Sequence, residues 1–219
     1  MLCKAIRQAH LKISDSQWDS SPWKHVPAAL LQNHMGKKPD HFPKTQVKIA
    51  YDAESVSLMF RVEDRYVRAT AATHQDDVYK DSCVEFFFTP GSDLFQGYFN
   101  FEMNCGGTML FHFQRQPRKE KIPIPESECG NIAVMHSLPK IVDPEIAGPV
   151  TWSVAYRIPL TLLERFCKVT TPDSQAVWRV NFYKCADDTT HPHWLTWSPV
   201  DLPAPNFHHP QAFGFLQFE

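Results

Sequence analysis

Short runs in which apolar and polar residues alternate recur from about residue 45 to the C-terminus, and they constrain the fold more than any other feature of the chain. Alternation with a period of two is the pattern of half-buried β-strands. Pro90-Gly91 and Gly106-Gly107 follow two of the runs and supply turn chemistry. The predicted strands cover residues 46–51, 57–62, 83–89, 98–105, 109–113, 132–136, 151–157, 178–185, 194–197 and 213–218.

Helical patterns are scarce, with two turns expected near residues 159–166 and one near 28–32. Many short strands without intervening helices predict an all-β fold, an antiparallel β-sandwich of jelly-roll type. The 219 residues fit a single domain with long loops, and the polar, Pro-rich stretch 114–129 is expected to be a long loop or an excursion from the sandwich. We expect the sandwich to cover residues 40–219, with residues 1–39 packed on it as an N-terminal extension.

Several classes of partner and location are disfavoured by composition. With 22 Lys+Arg and 24 Asp+Glu, the formal charge of -2 does not favour nucleic-acid binding. No window reaches the roughly 18 apolar residues of a membrane span. The chain as it stands starts without the apolar core of a signal peptide, so we expect a cytoplasmic protein, or an exported one if such a peptide was removed. The six cysteines form no CxxC pair, which favours free thiols.

Polar side chains occupy one face of several predicted strands. In the run 98–105, the apolar residues leave Asn100 and Glu102 on the opposite face. Asn181 and Tyr183 alternate with apolar residues in the same way, and Glu85 lies between large apolar neighbours. In a curved sheet these groups converge on a concave face. The alternative interpretation is an ordinary solvated strand face.

Sugar recognition requires this combination of residue types. Amides and carboxylates hydrogen-bond neighbouring hydroxyls, and aromatic rings stack on the apolar face of a pyranose. Tyr79 lies in a polar run just before a strand, and Phe207 lies in a loop rich in Pro and His. Both are therefore candidates for contact with a sugar. The alternative for each ring is packing beneath its own loop.

Six segments, taken in order, resemble the family 9 carbohydrate-binding modules, and more closely their stand-alone family 9-like (DOMON-like) relatives. The D-S-x-V-E-x-F element at residues 81–87 and the W-S-P…N-F-H-x-P…F-G ending carry most of this resemblance, which covers roughly residues 40–219. The six segments are TQVKIAYDAESVSLMFRVED (45–64), DDVYKDSCVEFFFTPG (76–91), YFNFEMNCGG (98–107), TWSVAYRIP (151–159), WRVNFYKC (178–185) and HWLTWSPVDLPAPNFHHPQAFGFLQF (193–218).

The resemblance implies a β-sandwich, a non-catalytic role and a saccharide or glycan held between two aromatic side chains. By position, the two clamp residues fall on Tyr79 and Phe207, the carboxylate that hydrogen-bonds the sugar falls on Glu85, and a polar strand residue falls on Tyr183. Family members carry tryptophan at both clamp positions, so the smaller rings of this chain reduce the stacking area. The sequence indicates no oligomeric state.

Structural calcium is a further feature that the resemblance implies. Calcium requires several oxygen ligands. The loop residues Asp76, Asp77, Asp187 and Asp188 are the candidates, but they do not assemble a full set, and solvated turn acids are the preferred interpretation. Apart from this calcium, the sequence indicates no cofactor.

A glycoside hydrolase is the first alternative function, because Glu85 and Glu102 lie on neighbouring predicted strands and hydrolysis uses two carboxylates. Against it, the sequence surrounds neither carboxylate with apolar groups in an obvious way that would raise its pKa. The resemblance also implies binding without turnover.

Three further alternatives involve metals or thiols. A haem-binding domain of related topology would use Met103 or His112 as axial ligands, although a core methionine is the simpler interpretation. A metal site at His191 and His193, with His208, His209, Asp187 and Asp188 nearby, competes with ordinary surface loop histidines. Cys83 and Cys185 are possible nucleophiles, with buried structural thiols as the default.

Overall fold

A computed structural model describes residues 1–9 and 11–219, and these residues form a β-sandwich of sixteen strands with two short helices. In this described part of the chain, no helix has the length and apolarity that crossing a membrane requires. The helices are α1 (Glu126–Cys129) and α2 (Leu160–Leu163), and the strands are β1 (Leu2–Arg7), β2 (Ala28–Leu30), β3 (Asn33–His34), β4 (Lys44–Tyr51), β5 (Ser55–Asp64), β6 (Val67–Ala69), β7 (Cys83–Thr89), β8 (Tyr98–Asn104), β9 (Met109–Gln116), β10 (Lys119–Pro123), β11 (Ala133–His136), β12 (Val142–Ile146), β13 (Val150–Pro159), β14 (Val177–Cys185), β15 (Trp194–Thr196) and β16 (Gly214–Phe218).

Two sheets share strand β1. The first sheet has the order β10-β9-β8-β7-β14-β16-β1, and the second continues as β1-β4-β5-β13-β11. Cys3 pairs in parallel with Leu216 of β16, and Ile6 pairs in parallel with Ala50 of β4. The strands β15 and β3 extend from β14, β2 pairs with β4, and β6 pairs with β12. The segment 1–39, expected to be an extension, thus contributes a strand to both sheets.

All ten predicted strands are present, and the helix expected near 159–166 is confirmed as α2. One local prediction was wrong: residues 28–32 contain strand β2 rather than a helical turn, because Ala28–Leu30 pair with Gln46–Lys48 of β4. Of the two expectations for the stretch 114–129, a long loop or an excursion from the sandwich, the long loop is wrong, because β9 continues to Gln116 and forms a hairpin with β10 before α1 begins.

The space between the sheets is filled largely by aromatic rings. Phe101 stacks on Tyr156 with ring centroids 4.2 Å apart, and Phe86 stacks on Phe182 at 5.4 Å. These four side chains are fully buried. Since burying one such ring stabilises a fold by about 1.5–3 kcal/mol, this core holds β7, β8 and β14 as a rigid support for their other face.

A buried ionic cluster also joins the two sheets. Lys184 of β14 lies 2.8 Å from His193 Nε2 and 3.7 Å from Asp64 Oδ2 of β5. The carboxylate of Asp64 also accepts from the Trp152 indole at 2.9 Å and contacts His41 at 2.7 Å. Although burial opposes its charge, Lys184 and these hydrogen bonds hold the pKa of Asp64 well below its usual range.

A second apolar cluster covers the outer face of the first sheet. Phe87 and Tyr183 project from β7 and β14 and contact side chains from the loops that fold across this face, among them Val78, Phe207 and Phe213. The outer face is therefore covered by loops rather than solvated along its length. The cavity described next lies between this face and the covering loops.

Candidate functional site

A cavity of about 570 Å³ lies over the outer face of the first sheet. Strands β7, β8 and β9 form its floor, and its walls come from the β9–β10 hairpin and from the segments 77–79, 185–194 and 205–208. The residues that line it are Asp77, Tyr79, Glu85, Phe87, Asn100, Glu102, Leu110, His112, Gln114, Arg118, Lys121, Cys185, Asp187, Trp194, Pro205, Asn206, Phe207 and His208.

The floor follows directly from the strand register. Glu85 of β7 pairs with Glu102 of β8, and Phe87 pairs with Asn100. Asn100 in turn lies opposite His112 of β9. Because cross-strand partners point to the same side of a sheet, these five side chains all face the cavity.

A chain of hydrogen bonds fixes the polar groups of the floor. The Asn100 amide donates to Glu102 Oε1 at 3.0 Å, and the Gln114 amide donates to Asn100 Oδ1 at 2.8 Å. The Tyr98 hydroxyl lies 3.0 Å from Gln114 Oε1 and 2.8 Å from His208 Nδ1. Each amide orientation is thereby set by its neighbours, and the floor is preorganised.

Each of the two carboxyl groups retains one oxygen that is buried and has no hydrogen-bond partner among the described residues, namely Oε2 of Glu85 and Oε2 of Glu102. The other oxygen of Glu85 accepts from the Cys185 thiol at 3.0 Å. Burial raises the pKa of Glu102 to about 8 and the pKa of Glu85 well above its ordinary value. The expectation that nothing surrounds these carboxylates so as to raise a pKa was wrong, because the covering loops are distant in sequence.

The cavity walls carry further buried groups with shifted pKa values. Burial raises the pKa of Asp187 to about 6, and its carboxylate accepts from the Trp194 indole at 2.9 Å. Burial lowers the pKa of His112 to about 4 and that of His208 to about 3. Both imidazoles are therefore neutral near pH 7 and present one donor and one acceptor each.

The two predicted clamp aromatics, Tyr79 and Phe207, both line this cavity. Phe207 is 8% exposed and stacks on Tyr183, with ring centroids 4.1 Å apart and an interplanar angle of 11°. Tyr79 is half-buried, and its carbonyl accepts from the backbone N–H of Asp187 at 3.2 Å.

Of the other predicted site residues, Glu85, Asn100 and Glu102 line the cavity, whereas Asn181 and Tyr183 do not line it and are fully buried. The Asn181 amide donates to the Ser198 carbonyl at 3.0 Å, and its oxygen accepts from the Ser198 N–H at 2.8 Å. Asn181 thus ties β14 to the segment that follows β15. The Tyr183 hydroxyl donates to the Phe207 carbonyl at 3.2 Å.

Several cavity residues were not predicted from the sequence as site residues. Gln114 lies on the strand next to that of Asn100 and Glu102 and faces the same side of the sheet. It was missed because the predicted strand ended at residue 113. Trp194 was assigned only to a strand, and His208 was named only as a loop residue beside Phe207 and as a neighbour of the hypothetical metal site, not as a sugar-binding residue. The hydrogen bond of the Trp194 indole to Asp187 is what places this ring on the cavity wall.

The calcium site that the sequence suggested receives no support. Asp76 accepts from the Thr73 N–H at 3.0 Å, Asp77 pairs with Lys80 at 3.1 Å, and Asp187 is bound by Trp194. Local hydrogen bonds and ion pairs thus satisfy these carboxylates.

The structure also gives no support to the histidine metal site or to the haem site. His191 stacks on Tyr66 at 3.6 Å, whereas His193 is buried against Lys184, so His193 is not the surface residue expected. Met103 lies in the core between the sheets, and His112 lies on the opposite face of the first sheet. One haem cannot be bound by both residues.

The sequence matches the family model described as carbohydrate-binding family 9 over residues 24–218. Among curated proteins, none matches it significantly. A crystal structure of a protein from Bacteroides uniformis ATCC 8492, for which carbohydrate binding has been suggested, is 28% identical, with a TM-score of 0.88 over 100% of this chain and 99% of that one.

Two further solved structures show a carbohydrate-binding module family 9 from Caldicellulosiruptor kristjanssonii, one in complex with glucose and one with cellotriose. They are 12% and 10% identical, each with a TM-score of 0.68, and the alignments cover 100% of this chain and 96% and 94% of theirs. At such identities they show the fold alone. The family match covers most of the chain, and the chain therefore belongs to carbohydrate-binding family 9, a family of non-catalytic carbohydrate-binding modules.

Proposed function

We propose that the cavity over the first sheet binds one saccharide unit, with Glu85 and Glu102 as its principal hydrogen-bonding groups and Tyr79 and Phe207 as its stacking surfaces. The observation that carries this proposal is the pair of buried carboxyl oxygens on the cavity floor that have no partner among residues 1–9 and 11–219. An unsatisfied buried polar atom costs about 1–3 kcal/mol. A ligand rich in hydroxyl groups removes that cost on binding.

The hydrogen bonds that fix the two carboxyl groups also favour a saccharide as the ligand. Because Glu102 Oε1 is already occupied by Asn100, only Oε2 is open to a ligand. The Cys185 thiol occupies Oε1 of Glu85 in the same way. Two fixed hydrogen-bonding positions on adjacent strands suit the neighbouring hydroxyls of a pyranose, which both donate and accept, since cross-strand side chains lie about 5 Å apart.

The aromatic residues supply the stacking surface, which is the second requirement of sugar recognition. Tyr183 covers one face of Phe207, which holds the Phe207 ring in place at the cavity wall. Tyr79 and Trp194 line the wall near Asp187. Stacking of an aromatic ring on the apolar face of a sugar is worth on the order of 1 kcal/mol, by analogy with aromatic pairs.

The hydrolase alternative does not fit the arrangement of the carboxyl groups. Their raised pKa values resemble those of a catalytic acid. However, Glu85 and Glu102 are direct cross-strand partners on one floor, and they approach a ligand from the same side. Glycosidases place their two carboxyl groups on either side of the scissile bond. Binding without turnover is what the family membership implies.

A glycan array followed by calorimetry with glucose and cellotriose tests the proposal, since family relatives have been solved with these two sugars. We expect Glu85→Gln and Glu102→Gln to weaken binding about tenfold each, which corresponds to about 1.4 kcal/mol. Glu164→Gln, which removes an exposed carboxylate far from the cavity lining, is the control. Unchanged affinity in the Glu85→Gln/Glu102→Gln double variant would refute the assignment. Sustained release of reducing sugar would instead establish a hydrolase.

A further inference from the structure

Three potential metal ligands, Cys83, Glu85 and Cys185, meet at one end of the cavity floor. The two Sγ atoms and a carboxylate oxygen all lie within 4.8 Å of one another, and all three side chains are buried. Saccharide binding as proposed above gives no role to Cys83, and it uses the Cys185 thiol only as a donor to Glu85.

We propose that Cys83, Glu85 and Cys185 bind one Zn²⁺ ion. Cys83 of β7 and Cys185 of β14 are direct register partners, and Glu85 follows Cys83 by two residues on the same face. The arrangement C-x-E on one strand with C on the next therefore presents two sulfurs and one oxygen to a common point. Zinc prefers thiolate, imidazole and carboxylate ligands in tetrahedral geometry.

The distances suit an ion of this size. With Zn–S bonds of about 2.3 Å and Zn–O bonds of about 2.0–2.2 Å, ligand atoms in a tetrahedral site lie roughly 3.5 Å apart. Cys185 Sγ lies 3.0 Å from Glu85 Oε1, and no pair in the cluster exceeds 4.8 Å. The largest separation in the cluster therefore exceeds the tetrahedral value by at most about 1.3 Å, which is 4.8 Å less about 3.5 Å.

The site has three protein ligands and an open side. Glu85 and Cys185 line the cavity, whereas Cys83 lies behind them. An ion reaches the cluster through the cavity, and its fourth position faces the cavity, where water or a ligand oxygen completes the coordination. Zinc sites with three protein ligands commonly keep their fourth position open.

Two features of the surroundings support an ion here. The Oε2 atom of Glu85 is buried and has no partner within the described chain, so the carboxylate has a free oxygen beside the thiols. Two thiolates and one carboxylate leave a net charge of -1 on the zinc complex. Lys184, whose ammonium donates to the Cys185 carbonyl at 3.0 Å, supplies positive charge from the opposite face of the strand.

Zinc binding releases protons from the thiols and involves no oxidation or reduction. Cysteine binds zinc as the thiolate, so each thiol releases its proton when the ion binds. Affinity therefore increases with pH. The same two cysteines are close enough for oxidation to a disulfide to compete with metal binding, so the measurement requires reduced protein.

The test uses the full chain, freed of metal and kept in a phosphine reductant, titrated with Co²⁺ and then with Zn²⁺. We expect one equivalent of Co²⁺ to give a thiolate-to-cobalt charge-transfer band and tetrahedral d–d bands, which Zn²⁺ then abolishes. Cys83→Ser and Cys185→Ser should each weaken Zn²⁺ binding by more than about 100-fold, since loss of a group that only supports a ligand already costs about 10- to 100-fold. Glu85→Gln should weaken it less.

Cys167→Ser is the matched control, because it removes a half-buried thiol outside the cluster. Circular dichroism of each variant verifies folding, and a variant that does not fold is replaced by the corresponding alanine variant. A folded, reduced wild-type protein without a charge-transfer band would overturn the proposal, as would a band that survives in Cys83→Ser/Cys185→Ser. No saccharide is present, so this result is independent of the proposed sugar binding.

Discussion

The ring of Tyr183 lies flat against that of Phe207, with centroids 4.1 Å apart, and its hydroxyl donates to the Phe207 carbonyl at 3.2 Å. A strand residue thereby fixes both the ring and the backbone of a loop residue. Phe207 is consequently a buried packing residue on one face and a cavity residue on the other.

Phe207→Leu separates these two roles. Leucine preserves much of the apolar volume, so we expect a loss of about 1 kcal/mol in folding stability. It cannot stack on a pyranose, so saccharide affinity should fall about 5- to 10-fold. Calorimetry and thermal denaturation measure the two effects.

Phe213→Leu provides the control, because Phe213 packs in the same apolar cluster and does not line the cavity. It should lower stability to a similar extent and leave affinity unchanged. Equal affinity in Phe207→Leu and wild type would exclude Phe207 from ligand contact.

Tyr79 should contribute to binding with little effect on folding, since its side chain is only half-buried. We expect Tyr79→Ala to reduce saccharide affinity about 5- to 10-fold, and Tyr79→Trp to preserve or increase it because the larger ring covers more of the sugar. Tyr66→Ala removes a half-buried ring outside the cavity and should leave affinity unchanged. Full affinity in Tyr79→Ala would contradict the stacking role.

Asn181 and Asn100 were predicted from the same strand pattern to serve the same site, and the structure gives them different partners. Asn181→Ala leaves the buried N–H and C=O of Ser198 without their side-chain partner. We expect a loss of about 2–4 kcal/mol in stability, with normal affinity in the folded fraction. Asn100→Ala frees Glu102 Oε1 and should weaken binding more than it lowers stability. Chemical denaturation and calorimetry on both variants distinguish the roles, and the reverse ranking would refute this assignment.

These two asparagines also show how far the sequence could predict the site. Alternation identifies the face on which a strand residue lies, and it placed Asn100, Glu102, Asn181 and Tyr183 on one side of the first sheet. It carries no information on which part of that face a distant loop will cover. The segment around Ser198 covers Asn181, and the loop at Phe207 covers Tyr183.

Strand β1 was not predicted, for a related reason. Its residues pair with β16 and β4, both far away in sequence, and its alternating pattern is only six residues long. Most strands that form hairpins with a neighbour in the chain, such as β4 with β5 and β7 with β8, were predicted because their signal is local, whereas β10, which forms a hairpin with β9, was not. The strands β1 and β12, whose partners are set by tertiary contacts, were not predicted either.

The raised pKa of Glu102 makes folding stability dependent on pH. Its carboxyl group has an ordinary pKa of 4.5, and burial raises this to about 8 in the folded protein. Between these values the folded state retains a proton that the unfolded state has lost, so the free energy of unfolding decreases as pH rises from about 4.5 to 8. Below pH 4.5 both states are protonated, and this contribution to the pH dependence is absent.

Glu102→Gln removes this titration. It should flatten the decrease in the free energy of unfolding by an amount on the order of a few kcal/mol across the interval.

Buried histidines with lowered pKa values, such as His208, act in the opposite direction below about pH 6.5, because they must become charged on unfolding in acid. The comparison of wild type with Glu102→Gln cancels their contribution, since both proteins contain them. Glu164→Gln, which removes an exposed carboxylate, should reproduce the wild-type profile. Urea denaturation at intervals between pH 4.5 and 8 measures the difference, and parallel profiles for wild type and Glu102→Gln would show that Glu102 is ionised in the folded protein throughout this range.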